Sequence, residues 1–285
     1  MVIGQVIADG ISIAGILIIV ALGLGIIFGV MKVINMAHGD LIMIGAYTTY
    51  VFSTVMKLPF FAGMIAAFVV TALVGALIEM LVIRKLYGRI LETLLATYGV
   101  SLLLQQIVRM IFGPGGKSVK NPLESSLSIG SVVLPHFRLF IILFAVFLLL
   151  LVAFVIYKTK FGIQFRTVSQ NREMSECLGI NTSLIDTYTF AFGAGLAGIA
   201  GAALAPLKTV SPTMGLDYLV DAFMVVVLGG VGSLTGTAIG SGVIGEANQL
   251  LTLVTTETLG KILVFILVII VIRFKPEGLF KMERR

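Results

Sequence analysis

Charge is scarce in this chain. Only 12% of the 285 residues are Asp, Glu, Lys or Arg, about half the share carried by an ordinary soluble domain. That scarcity excludes a water-exposed globule of this length. There is one cysteine, Cys177, so an internal disulfide and any multi-cysteine metal site are excluded. The two histidines, His38 and His136, stand apart, and no His, Cys or Glu residues recur at metal-ligand spacing. No serine or cysteine has an evident base and orienting partner, so nothing points to catalysis. No Lys or Arg precedes Lys32; the basic leader of a cleavable signal peptide is therefore missing, and the first apolar stretch reads as a retained span.

What fills the chain instead is apolar. Hydrophobic residues make up 58%, and the mean hydropathy is +1.11. Runs such as "LFIILFAVFLLLLVAFVIY" (residues 139–157) approach the roughly 20 residues that cross a bilayer. In lipid the backbone must satisfy its own hydrogen bonds, so such runs are helices. The sequence predicts an all-α, polytopic transmembrane helical bundle, one domain over residues 1–285, touching membrane lipid on its outer faces. Breaks in Gly, Pro and charge place spans near 8–31, 39–56, 60–84, 91–112, 137–157, 186–206, 217–231, 234–254 and 259–274. The seventh is short enough to be broken or re-entrant, which gives eight or nine crossings.

Basic residues are distributed unevenly between the two sides that nine crossings define. One side receives Lys32, Arg84, Lys85, Arg89, Lys158, Lys160, Arg166, Arg172, Arg273, Lys275, Lys281, Arg284 and Arg285. The other receives Lys57, Arg109, Lys117, Lys120, Arg138, Lys208 and Lys261. Cytoplasmic loops favour Lys and Arg, so the expected topology has the N-terminus outside and the C-terminus in the cytoplasm. The formal charge of +6 sits at span ends, a pattern unlike a nucleic-acid surface. "GGKS" at residues 115–118 lacks the leading glycine of a phosphate loop and follows a span, not a strand, so no nucleotide site is expected.

Three patterns carry candidate function. Thr97, Ser101, Gln105 and Arg109 recur every four residues, with Tyr98 and Gln106 beside them. Polar groups so placed face other helices or a water-filled path. The stripe reads either as interhelical hydrogen bonding or as a pathway for a small polar solute. The break "KVINMAHGD" (residues 32–40) holds Asn35, His38 and Asp40 between two spans; it reads as a capped turn at the inner surface or as a transport site. Asp40 suits the positive end of the following helix. Glu79, Asp221 and Glu246 are further acids within spans. Gly232, Gly236 and Gly240, with Gly198 between Ala194 and Ala202, form small-residue stripes that let helices approach closely.

The third pattern is a charged island at residues 158–185 on the expected cytoplasmic side. A short helix from about Gln170 to Leu178 fits it, capped by Asn171 or Ser169 and ended by Gly179. Its basic approach would steer an acidic groove of a partner. Within it "EMSECLG" (residues 173–179) is a loose form of the E-A-A-x-x-x-G loop of ABC importer permeases, with both alanines replaced. "GLGIIFGVMKVINMAHGDLIMIGAY", "LLATYGVSLLLQQIVRMIFGP", "VSQNREMSECLGINT" and "YLVDAFMVVVLGGVGSLTGTAIGSGVIG" together resemble the branched-chain amino acid/urea class of those permeases over nearly the whole chain. "QNREM", "LATYGVSLLLQQ" and "VDAFMVVVLGGVGSLTGT" are more similar to its urea permease subunit.

The resemblance implies a heteromeric, ATP-driven importer in a prokaryotic inner membrane. A second permease subunit, two cytoplasmic ATPases and an extracytoplasmic solute-binding protein would be its partners, with no nucleic acid involved. ATP and Mg would sit on the ATPases, and this chain would bind no cofactor and no metal. Gln170, Asn171, Arg172, Glu173, Glu176 and Gly179 would then couple to the ATPase. Asn35, His38, Thr97, Tyr98, Ser101 and Gln105 would line the path for urea. Branched-chain amino acids are the alternative cargo, and a stand-alone secondary transporter or channel is the competing class.

Overall fold

The computed structural model describes residues 2–129, 132–275 and 278–280, so the basic residues Lys281, Arg284 and Arg285 lie outside the described residues. Among these, eleven α-helices form: α1 (Val2–Met31), α2 (His38–Tyr50), α3 (Phe60–Leu81), α4 (Ile90–Phe112), α5 (His136–Lys158), α6 (Lys160–Gln170), α7 (Arg172–Cys177), α8 (Thr182–Leu204), α9 (Met214–Gly229), α10 (Leu234–Thr252) and α11 (Glu257–Phe274). A π-helical turn, Val51–Val55, extends α2, and a 3₁₀ turn, Ile83–Leu86, follows α3. A short antiparallel hairpin, β1 (Ser126–Ile129) and β2 (Val132–Pro135), leads into α5.

All nine expected segments are helical. Five helices, α1 (from Gly4), α3, α4, α5 and α8, are long and apolar enough to cross a membrane on length and composition alone. The other four of the nine are shorter or more polar, and they complete the bundle around α1 and α8. α9, short enough to have been broken or re-entrant, is one continuous helix of 16 residues.

Contacts fix how the helices run. Asp9 and Ser12 of α1 share a cavity with Leu204 at the end of α8, while Leu22 and Ile26 share another with Ile156 at the end of α5. α1 therefore runs parallel to α5 and antiparallel to α8. One end of the bundle gathers Arg84, Lys85, Arg89, Lys158, Lys160, Arg166 and Arg172; this is the charged end. The other carries β1–β2 and an isolated bridge between Lys117 and Val210; this is the hairpin end.

The centre is packed backbone to backbone. In "FAFGAGLAGIAGAAL" of α8, a Cβ on Gly198 would collide with Thr71 Oγ1 and the Ala67 carbonyl of α3, and one on Gly201 with the Ile42 carbonyl of α2. Without a hydrophobic drive between helices in lipid, such close approach supplies the attraction through dispersion and Cα–H···O contacts. Gly236 meets Gly229 in the same way, Gly232 (φ +79°) turns the chain against Gly29, and Gly240 sits more loosely near Val225. Large apolar side chains on α3, α4, α5 and α11, among them Leu73, Leu91, Leu150 and Ile269, point outward as a lipid-facing surface requires.

Candidate functional site

α2 does not start where α1 stops. The His38 imidazole Nε2 lies 3.3 Å from the Val20 carbonyl, eleven residues back along α1 from Met31. At 1.5 Å per residue that is about 16 Å from the charged end, so α2 begins near mid-depth. Residues 32–37, without helical structure, climb that distance inside the protein; Val33, Asn35 and Ala37 are buried. The expected alternative of a capped turn at the surface is therefore corrected.

Irregular backbone at membrane depth needs substitute hydrogen-bond partners. α4 supplies them. Thr97 Oγ1 accepts from the Met36 N–H at 3.1 Å, and Asn35 Oδ1 accepts from the Ala37 N–H at 3.0 Å. Gln105 Nε2 donates to Asp40 Oδ1 at 3.0 Å and to Ser101 Oγ at 3.2 Å. Thr93, Thr97, Ser101, Gln105 and Val108 are the buried residues of α4, which is thus joined to the bundle by a mostly polar seam. Three polar atoms in the cluster have no hydrogen-bond partner: Asn35 Nδ2, His38 Nδ1 and Asp40 Oδ2. Each belongs to a side chain no more than 1% exposed. Of the six residues expected to line a path, the structure unites Asn35, His38, Thr97, Ser101 and Gln105. Tyr98 is 48% exposed on the far side of α4, and Arg109 and Gln106 are exposed as well. Asp40 joins the cluster although its spacing suggested only a helix-end charge.

The charged island folds into two helices. Thr159 caps α6, whose buried face is Gly162, Phe165 and Val168. Asn171 ends α6 in extended conformation, and its Oδ1 accepts the Met174 N–H at 3.0 Å to start α7. Gly179, at φ +79°, closes α7, with the Ile180 N–H returning to the Ser175 carbonyl at 3.0 Å. Of α7 only Ser175 is buried, so Glu173, Met174, Glu176, Cys177 and Leu178 project from the charged end. Gln170 lines a cavity of 650 Å³ between α1, α5, α6 and the start of α10, with Arg166 and Ser169.

Beneath α7 lies an ionic network absent from the expectations. Glu79, fully buried, accepts from Arg84 Nη2 at 3.0 Å, Tyr87 Oη at 2.7 Å and Thr187 Oγ1 at 2.7 Å. Arg172 of α7 stacks over the Tyr87 ring at 5.1 Å and pairs with buried Asp186 of α8 at 2.8 Å, off the direction of a good hydrogen bond. Burial above all, then the Asp186 carboxylate and the bond to Glu79, pushes the Tyr87 hydroxyl far above the usual phenol range. The network ties α7 to α3 and α8, the most closely packed pair. Arg84 and Tyr87 lie close to Glu79 in sequence, but the link to Thr187 spans about a hundred residues, which hides the network from local pattern.

A helix break at mid-depth, with its irregular backbone buried in protein, is a feature of transporter folds. A family model described as "Branched-chain amino acid transport system / permease component" matches residues 6–272. The chain belongs to that family. It is a multi-pass membrane permease of the ABC type, a transport component and not an enzyme. It is 27% identical to the high-affinity branched-chain amino acid transport system permease protein BraD of Pseudomonas aeruginosa, over 96% of this chain and 94% of that one. The corresponding permease protein LivH of Escherichia coli K12 is 26% identical over 95% and 93%. The ribose import permease protein RbsC of Haemophilus influenzae is 30% identical over only 41% of this chain and 39% of its own. No solved structure gives a significant match.

Proposed function

We propose that this chain is the permease subunit of an ATP-driven importer of branched-chain amino acids. The observation that carries the cargo is full-length similarity to permeases named for that transport. The expectation of urea, drawn from short stretches, has no support among these relatives, and the alternative cargo replaces it. The charged end faces the cytoplasm and the hairpin end faces outward, as the placement of Lys and Arg favours. α7, with Glu173, Met174, Glu176 and Leu178 projecting, docks into the ATPase, and Arg172 carries its displacement to α3 and α8. A second permease subunit, two ATPases and a solute-binding protein complete the machine. The polar cluster of Asn35, His38, Asp40, Thr97, Ser101 and Gln105 lies on the translocation path, where its unpartnered atoms meet solute or water once the α4 seam opens. Such a seam has two arrangements, and the ATPase cycle biases the choice between them.

Labelled leucine and urea uptake, compared before and after deletion of the gene, tests the cargo. Leucine uptake is expected to fall and urea uptake to persist; the reverse result refutes the reading. Crosslinking from exposed Cys177 tests docking: the ATPase is the expected adduct, and a Cys177 equally open to reagents in the assembled complex counts against it.

A further inference from the structure

At the hairpin end a cavity of 270 Å³ opens between α1, α5, α9, α10 and the segment after α8. Its charged wall holds Asp9, Arg138 and Lys208, with Tyr218 and Gln249 beside them. Asp9 and Arg138 form an ion pair across α1 and α5, and Gln5 Nε2 donates to the second Asp9 oxygen at 3.3 Å. Lys208 has no ion-pair partner among the described residues. Besides Ser12, the rest of the cavity lining is aliphatic: Ile13, Ile16, Ile141, Leu204 and Leu207. The cavity thus offers both signs of charge together with a branched hydrocarbon lining.

We infer that this cavity is a receiving site for a zwitterionic aliphatic amino acid, distinct from the mid-depth cluster and reached before it. The inference rests on the proposed cargo and deepens it. Lys208, with Arg138, takes the solute carboxylate, and Asp9 takes the ammonium, each as a charge-assisted hydrogen bond. The aliphatic wall takes the side chain, because apolar contact there removes hydrocarbon from water. In the empty cavity Asp9 and Arg138 compensate one another. Lys208 adds a positive charge at the mouth that draws the carboxylate in first. Urea, uncharged and without an aliphatic tail, would leave both halves of this arrangement unused.

The test is photolabelling with a diazirine-bearing leucine in the complete importer, followed by peptide mapping. Label is expected on the peptides carrying Ile13 and Ile16 or Leu204 and Leu207, competed by excess leucine but not by leucinamide or urea. Lys208→Gln is expected to lower that labelling about tenfold, the loss of one charge-assisted bond, while Lys208→Arg retains it. A complex that takes up leucine yet shows no competable label in these peptides overturns the inference and leaves the proposed function standing. Unchanged labelling and leucine competition in Lys208→Gln and Asp9→Asn also overturns it. A complex that takes up urea and not leucine overturns the cargo reading on which it rests.

Discussion

Glu79 and Asp40 are both buried acids within spans, and the protein treats them in opposite ways. Glu79 has both oxygens occupied, by Arg84, Tyr87 and Thr187. Asp40 has one oxygen held by Gln105 and the other without a partner. A carboxylate saturated by fixed partners is a structural hub, since any motion breaks several charged bonds together. One with an unused acceptor in a neutral hydrogen-bonded seam is held loosely enough to exchange partners. Under the proposed function, the saturated charged end would serve as a lever, and the mid-depth break would be where partners change.

The largest expected effect breaks the rigid side. Glu79→Ala takes the common acceptor from the Tyr87 hydroxyl, Thr187 Oγ1 and the partly exposed Arg84, and should cost about 1–3 kcal/mol for each donor left unpaired, seen as a large fall in Tm of the purified permease. A variant with unchanged Tm would show that the hub is ornamental. Gly198→Val drives methyl groups into Thr71 and Ala67 and should cost about 1–3 kcal/mol by forcing α3 and α8 apart, measurable in the same melt. On the loose side, Thr97→Val removes the acceptor of the Met36 N–H and should cost about 1–3 kcal/mol while lowering uptake; full uptake would exclude the seam from transport. The smallest effect is Asn171→Ala. It removes the α7 cap at about 1 kcal/mol locally, and should leave Tm nearly unchanged while weakening the Cys177 crosslink to the ATPase.

What could be read from sequence follows the range of the interactions involved. The nine helical segments were legible because hydropathy is summed within each segment. Asn171 and Gly179 were legible because a cap bonds three or four residues along its own chain. The polar stripe was legible up to Gln105 but not to Arg109. A four-residue step overshoots the helical turn by about 40°, so by the third step the stripe has left the face and Val108 takes the place. Tyr98, one residue from Thr97, is rotated about 100° from it and faces outward. The climb of residues 32–37 and the Glu79 network were not legible. Their partners, Val20, Thr97, Thr187 and Asp186, are placed by tertiary packing alone.

ATP-driven uptake of labelled leucine into proteoliposomes holding the permease, its partner subunits and the binding protein tests the central claim most directly. The account predicts that leucine accumulates only with ATP, that urea does not, and that Asp40→Asn abolishes accumulation while its Tm stays near that of the parent. Accumulation of urea in place of leucine, or leucine uptake that needs no ATP, would contradict it.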